Sequence, residues 1–239
     1  MIAIDFHTHI LPGIDDGSRD IDQTLKMLEE EARQGITHVV ATPHFYARYN
    51  DPDKFLRERA KAQMVLEAAI ADRPDLPQVI MGAEVHYFSG MGESEQLQRL
   101  TIGDTKLVLV EMPGTPWTEA AYRDLEQIYV LQGLTPVIAH LDRYIGPWCT
   151  HGIPRRLEQL PVLVQANSEF FLNKRTAGMA MRMLRRGEIH FLGSDCHNLD
   201  DRAPNLGEAR KLIAKKLGDP ALAEIQRFEE VVCPAGQKG

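Results

Sequence analysis

Cysteine is scarce in this chain: three residues in 239, at Cys149, Cys196 and Cys233, widely spaced and without a CxxC pair. That usage offers no disulfide framework and fits a reduced compartment. Long apolar runs are also missing. None approaches the ~18–20 residues that a bilayer-spanning helix needs, so no membrane insertion is expected. There is no excess of basic charge, since 27 Lys and Arg face 34 Asp and Glu for a net charge of −7. That balance argues against a general nucleic-acid or anionic-membrane binder. Met1 is followed by a short apolar stretch that turns acidic at Asp5, without a basic n-region or a long h-region, so a cytoplasmic location is expected. No linker rich in Pro, Gly or Ser divides the chain. The expectation is one domain over 1–232 and a short flexible tail over 233–239.

What is present is alternation. Short apolar runs at Ile2–His7, Thr37–His44, Gln78–Glu84, Leu107–Met112, Pro136–His140, Val162–Asn167 and Ile189–Asp195 read as strands buried on both faces. Between them, Ile21–Gln34, Asp53–Ala71, Glu119–Gln132 and Lys174–Arg186 carry helix-forming residues at helical spacing, and Gly35, Gly133 and Gly187 stand where three of these helices should stop. Strands alternating with helices predict an α/β fold with a parallel sheet and right-handed crossovers. Seven such units form either a closed barrel or an open doubly wound sheet, and periodicity alone does not choose.

The polar residues fall at the strand ends. The first run closes in His7-Thr8-His9, the second in His44, the third in Glu84, the fourth in Glu111, the fifth in His140 and the seventh in Asp195-Cys196-His197. Only the sixth lacks such an ending. Parallel strands deliver their C-terminal ends to one face, where active sites of barrels lie. In extended backbone, His7 and His9 project to one side, as do Asp195 and His197. Imidazole and carboxylate without thiolate suit Mn²⁺, Fe or Zn²⁺, and the donors outnumber the needs of one ion. A two- or three-metal cluster bridged by a carboxylate follows, with Glu84 the best bridge. His38, His86, His151 and His190 are read as structural.

These residues resemble the polymerase and histidinol phosphatase (PHP) superfamily. Within it, the run Asp5-Phe6-His7-Thr8-His9 through Asp15-Asp16-Gly17-Ser18-Arg19-Asp20 is similar to the opening signature of bacterial metal-dependent protein-tyrosine phosphatases that regulate capsular and exopolysaccharide synthesis. Ala41-Thr42-Pro43-His44, Gly82-Ala83-Glu84, Val110-Glu111, Ile138-Ala139-His140 and Gly193-Ser194-Asp195-Cys196-His197-Asn198 keep step with it. The resemblance implies a distorted (β/α)7 TIM-like barrel holding three divalent ions, manganese first, with iron or zinc allowed. One ion would take His7, His9, Glu84 and Asp195. A second would share Glu84 and add Glu111 and His140. A third would take Asp16, His44 and His197, with Asp15 as a supporting or turn residue. A metal-activated hydroxide would hydrolyse phosphotyrosine on a protein, a bacterial tyrosine kinase being the implied partner.

Arg143 and Arg202, three and five residues past His140 and His197, match family arginines that contact phosphate. Arg48 is balanced between that role and solvent. Phe45, Tyr46 and Tyr49 either stack on a phosphotyrosine ring or pack the base of their loop. Where the family reads His-Pro-Glu-Arg-Tyr, this chain reads His140-Leu141-Asp142-Arg143-Tyr144, which puts the local turn at issue. The signature loop of cysteine phosphatases is absent, and Cys196 reads as packing. The alternative is a PHP-type phosphoesterase acting on a small metabolite such as histidinol phosphate.

Overall fold

A computed structural model describes residues 2–145 and 152–233. Cys149, His151 and residues 234–239 of the expected tail lie outside the described residues. Among the described residues nine strands run in chain order: β1 Ile4–Thr8, β2 His38–Ala41, β3 His44–Phe45, β4 Gln78–Met81, β5 Glu84–His86, β6 Leu107–Glu111, β7 Thr135–Ile138, β8 Leu163–Asn167 and β9 Phe191–Gly193. Eight α-helices accompany them among these residues: α1 Ile21–Arg33, α2 Pro52–Ile70, α3 Glu119–Gln132, α4 Ile153–Leu157, α5 Ser168–Leu172, α6 Ala177–Arg185, α7 Leu206–Leu217 and α8 Asp219–Val232.

Every strand pairing is parallel, in the orders β1-β2-β4 and β3-β5-β6-β7-β8-β9. The second and third sequence runs each divide in two. Pro43 has no N–H to give a ladder, and Gly82 packs so closely that an added Cβ would stand 3.2 Å from Ile102. The main chain stays tied across the breaks, with Gly82 N donating to Ala41 O at 2.8 Å and Glu84 N to Pro43 O at 3.1 Å. The sheet curls until the segment after β9 meets β1. There Asp195 N donates to His7 O at 2.8 Å, His9 N donates to Cys196 O at 2.9 Å, and Thr8 pairs with Cys196.

Two apolar layers result from the alternation of strand side chains. Ile4, Phe6, Val40, Leu107, Leu109, Val137, Ala139 and Phe191 fill the inside of the curl, with Phe6 stacked on Phe191 at 3.9 Å. Residues of the other parity, such as Val39, Val85, Val108, Ile138 and Leu192, pack outward against Met27, Leu66, Leu125 and Ile213 of the helices. Helix ends follow local chemistry: Asp20 caps α1 by accepting from Gln23 N, Asp51 caps α2 ahead of Pro52, and Gly133 ends α3 at φ 65°. The run expected as one helix over 174–186 is shortened to α6, and the C-terminal region holds two helices separated by Gly218.

Candidate metal centre

The strand ends gather as their polarity requires. His7 and His9 reach the centre through a register slip in β1 between Asp5 and Thr8, where Asp5 Oδ1 accepts from His7 N at 3.2 Å. A slip of this kind re-aims side chains without ending the strand. His140 and Asp195 are turned inward by left-handed backbone, at φ 33° and 56°. Both are non-glycine residues in a region that side chains disfavour, a strain that functional positions commonly carry. Gly193 lets β9 lie against β1, since a Cβ there would stand 2.7 Å from His7 Cβ.

Four donors converge at the middle. His7 Nε2 and His9 Nε2 are 3.2 Å apart, and Glu84 Oε2 stands 3.3 and 3.4 Å from them. Asp195 Oδ1 stands 3.6 and 3.5 Å from the same two nitrogens. Glu84 Oε1 lies 2.8 Å from His140 Nε2, which is 3.6 Å from Glu111 Oε1. On the other side, Asp16 Oδ1 lies 3.3 Å from His44 Nε2 and 3.5 Å from His197 Nε2, while His44 Nδ1 is 2.9 Å from Glu84 Oε2. Eight of the nine expected donors therefore fall in three overlapping groups, and His140 adjoins them through Glu84 and Glu111.

The donor set passes a chemical test for metal. Divalent ions bind such nitrogen and oxygen atoms at about 2.0–2.2 Å, which spaces neighbouring donors by about 3.0–3.5 Å. Glu84 Oε2 and His197 Nε2 are buried and form no hydrogen bond, which leaves their lone pairs available to an ion. Buried polar atoms rarely go unpaired without such a reason. Neighbours also fix the tautomers. His7 Nδ1 lies 3.2 Å from Gln165 Oε1, His9 Nδ1 2.8 Å from Asp15 Oδ2, and His197 Nδ1 3.0 Å from Asp195 O. Each acceptor takes a proton from Nδ1 and leaves Nε2 facing the centre.

Charge is concentrated here. Burial would raise the Glu84 carboxyl, but the surrounding imidazoles of His7, His140 and His44 more than offset it and hold it well below the usual carboxylate range. Burial opposes the charged form of His9, yet Asp15, Asp195 and Glu84 raise it well above an ordinary imidazole. Asp15 resists burial through His9 and is held at about 2.

Arg143 sits among these groups, with Nη2 bonded to Asp195 Oδ2 and Nη1 3.1 Å from His140 Nε2 and 3.5 Å from Glu111 Oε1. Arg202 Nη2 donates to Asp195 Oδ1 at 2.8 Å, and its backbone carbonyl accepts from His197 N. Arg48 instead lies over the Tyr49 ring at 5.8 Å. The aromatic run divides: Phe45 is buried against Phe55 and forms the loop base, Tyr49 is 78% exposed, and Tyr46 lies 5.3 Å from His44. The altered turn after His140 is held, because Asp142 Oδ1 accepts from Asn167 N at 2.9 Å and Tyr144 OH donates to Met112 O at 2.8 Å. Cys196 is buried, and burial together with Glu31 and Asp5 pushes its thiol well up.

Three contributors were missed as site residues. The sixth run ends in no ligand type, yet Gln165 accepts from His140 N at 2.7 Å besides meeting His7, and Asn167 Nδ2 donates to Asp195 Oδ2 at 3.1 Å. An amide in a strand carries no signal of its own. His86, read as structural, places Nδ1 2.9 Å from Glu111 Oε2. Its signal was available: Glu84-Val85-His86 repeats the spacing of His7-Thr8-His9 and Asp195-Cys196-His197.

A family model for capsular polysaccharide synthesis proteins, CpsB/CapC, matches residues 3–230. Tyrosine-protein phosphatase CpsB of Streptococcus agalactiae is 30% identical over 226 residues, covering 90% of this chain and 91% of its own. Tyrosine-protein phosphatase YwqE of Bacillus subtilis is 31% identical over 227 residues, 90% and 85% of the two chains. A solved structure from the work on YwqE of Bacillus subtilis and CpsB of Streptococcus pneumoniae, described as unique metal-dependent tyrosine phosphatases, superposes with a TM-score of 0.80. It is 26% identical, over 96% of this chain and 94% of that one.

Proposed function

The chain belongs to the capsular polysaccharide synthesis CpsB/CapC family, and from that premise we propose the following reading of its site. The protein is a metal-dependent tyrosine phosphatase, a phosphomonoesterase linked to capsule synthesis. The observation that carries this is Glu84 Oε2, buried, close to three imidazole nitrogens and hydrogen-bonded to none. His7, His9, Glu84 and Asp195 would hold one ion, Glu84, Glu111 and His140 a second, and Asp16, His44 and His197 a third, manganese first, with iron or zinc also suited to this mixed imidazole and carboxylate set. Such ions supply Lewis acidity, drawing charge from phosphoryl oxygens and lowering the pKa of water towards ~7.

The chain's own groups do the rest. The guanidinium groups of Arg143 and Arg202 face Asp195 from two sides and are placed to fork onto phosphoryl oxygens. Asp15 and Gln165 accept from Nδ1 of His9 and His7, so that each ring, once neutral, would present its Nε2 lone pair to an ion. Tyr46 offers a ring at the rim for the tyrosyl ring of the substrate. Cys196, buried and with a raised thiol, supplies no nucleophile.

The substrate would be a phosphotyrosine protein, a tyrosine kinase among the candidates, in the cytoplasm, acted on by one (β/α)7-type domain over 1–232. Openness favours a protein over a small metabolite, since the Asp16 side chain is 66% exposed and that of Arg143 42%. A cavity of about 460 Å³ lies apart, lined by Leu157, Met183 and His190 and by none of the nine donors. The test is a screen of manganese-loaded protein against phosphotyrosine peptides, phosphoserine peptides and sugar phosphates. Preferred turnover of phosphotyrosine, abolished by a chelator and untouched by iodoacetamide, is expected. Preference for a sugar phosphate or histidinol phosphate overturns the protein-substrate reading.

A further inference from the structure

His86 closes β5 two residues beyond Glu84, on the same face and one step further towards solvent. Register pairs it with Glu111 on the neighbouring parallel strand, so the two side chains stand side by side. Glu111 has two oxygens with different surroundings. Oε1 turns inward, 3.6 Å from His140 Nε2 and 3.5 Å from Arg143 Nη1, whereas Oε2 meets His86 Nδ1 at 2.9 Å. A carboxylate oxygen accepts only, so this contact selects the ring form that carries a proton on Nδ1, whatever the state of Nε2. The ring also has an aromatic neighbour. Tyr46 lies 5.3 Å from it, and Tyr46 in turn lies 5.3 Å from His44.

The geometry points to His86 as a positioning residue for Glu111: its Nδ1–H pins Oε2, so that Oε1 alone is presented to the centre, and its ring ties the Tyr46 wall to that carboxylate. Without the pin, Glu111, whose side chain is 17% exposed, keeps the longer 3.5 Å contact of Oε1 with Arg143 but loses its shorter tie against swinging towards water. Carboxylate and imidazole partners that orient a ligand in this way commonly set metal affinity by about 10–100-fold. The inference rests on the metal-centre reading above and adds to it a residue outside the nine donors.

The experiment is a Mn²⁺ titration of apo-protein by calorimetry, for wild type, His86→Ala and His86→Asn, with circular dichroism melts of the metal-free forms. An asparagine side chain can return one N–H near the place of Nδ1. His86→Ala is expected to melt like wild type without metal, to bind one Mn²⁺ about 10–100-fold more weakly and to leave the tighter sites unchanged, with His86→Asn recovering much of the loss. Wild-type affinity at every site in His86→Ala overturns the inference while leaving the metal centre intact. Equal weakening in both variants also overturns it, because the donor would then not be the cause. A wild type that takes up no Mn²⁺ overturns the metal-centre reading and this inference together, a result distinct from either. Phosphatase assays are not needed to decide among these outcomes.

Discussion

Histidines occupy both ends of the strands, and the two ends treat them differently. At the C-terminal ends, His7, His9, His44, His140 and His197 meet Glu84, Asp16, Glu111 and Asp195. At the N-terminal ends, His38 opens β2 and His190 stands just before β9, and their bonded partners are uncharged. His190 Nδ1 accepts from Val164 N at 3.1 Å while its ring meets Phe228 edge-on at 4.9 Å. His38 Nδ1 lies 2.9 Å from Thr37 Oγ1 and Nε2 lies 3.1 Å from Cys233 Sγ. Burial acts on both groups, pushing His190 down to about 4; at the other end carboxylates overcome it and raise His7 and His9, whereas burial and the neighbouring His9 push His197 down to about 4. The same residue type is a neutral packing element where its neighbours are uncharged and a candidate ligand where carboxylates converge. Strand polarity decides which, because parallel strands send all their C-terminal ends to one face.

The sharpest way to break this contrast is to remove one imidazole from the acidic end. His7→Ala is expected to abolish phosphotyrosine turnover and to lower metal content, whereas His38→Ala should leave both near wild type. Metal-loaded protein should also melt higher than chelated protein, since an ion at a thousand times its dissociation constant stabilises the fold by about 4 kcal/mol. Elemental analysis with a thermal scan checks both. A His7→Ala protein with full metal and wild-type turnover would remove His7 from the centre.

Arg143 sharpens the comparison within the acidic end. It neutralises carboxylates there but is not itself a donor to metal. Arg143→Ala should keep its metal and fold yet lose kcat/KM on phosphotyrosine by roughly 30- to 1000-fold, the 2–4 kcal/mol expected of one charge-assisted contact made in the transition state. Arg143→Lys should recover only part, because an ammonium cannot reproduce the fork. Loss of metal in Arg143→Ala would instead make the arginine a support for Asp195 and Glu111, which it already contacts.

Much of this end was legible because strand ends and ligand types coincide in the sequence, as at Glu84, His140 and Asp195. Asp16 was reachable only by resemblance, since it sits on a loop, largely exposed, where no periodicity applies. Gln165 and Asn167 were illegible for a different reason. Their role lies in what they orient, and an amide gives no sequence sign of its neighbour. The division of two runs at Pro43 and Gly82 could have been read from residue chemistry, but the inward turns at His140 and Asp195 could not. Those depend on backbone angles that ordinary side chains disfavour and that only the assembled site holds in place.

The smallest expected effect belongs to the uncharged end and concerns pH. His190 has a folded pKa of about 4 against 6.5 for an ordinary imidazole, so below pH 6.5 the unfolded chain binds a proton that the folded chain refuses. Its contribution is therefore full above pH 6.5, declines as pH falls to about 4, and changes no further below that. The ring retains some exposure, so the loss is on the order of 1–2 kcal/mol rather than the larger figure the full shift implies. His190→Asn keeps an acceptor for Val164 N without a group that titrates in this window. Urea midpoints measured for chelated protein at pH 7.5 and pH 4.5 give the comparison, and subtracting the variant from wild type cancels the titration of the metal-binding residues. The wild type should lose more stability between the two pH values than His190→Asn does. Equal losses would mean that His190 keeps an ordinary pKa when folded, and the distinction drawn between the two ends of the sheet would then rest on the carboxylates alone.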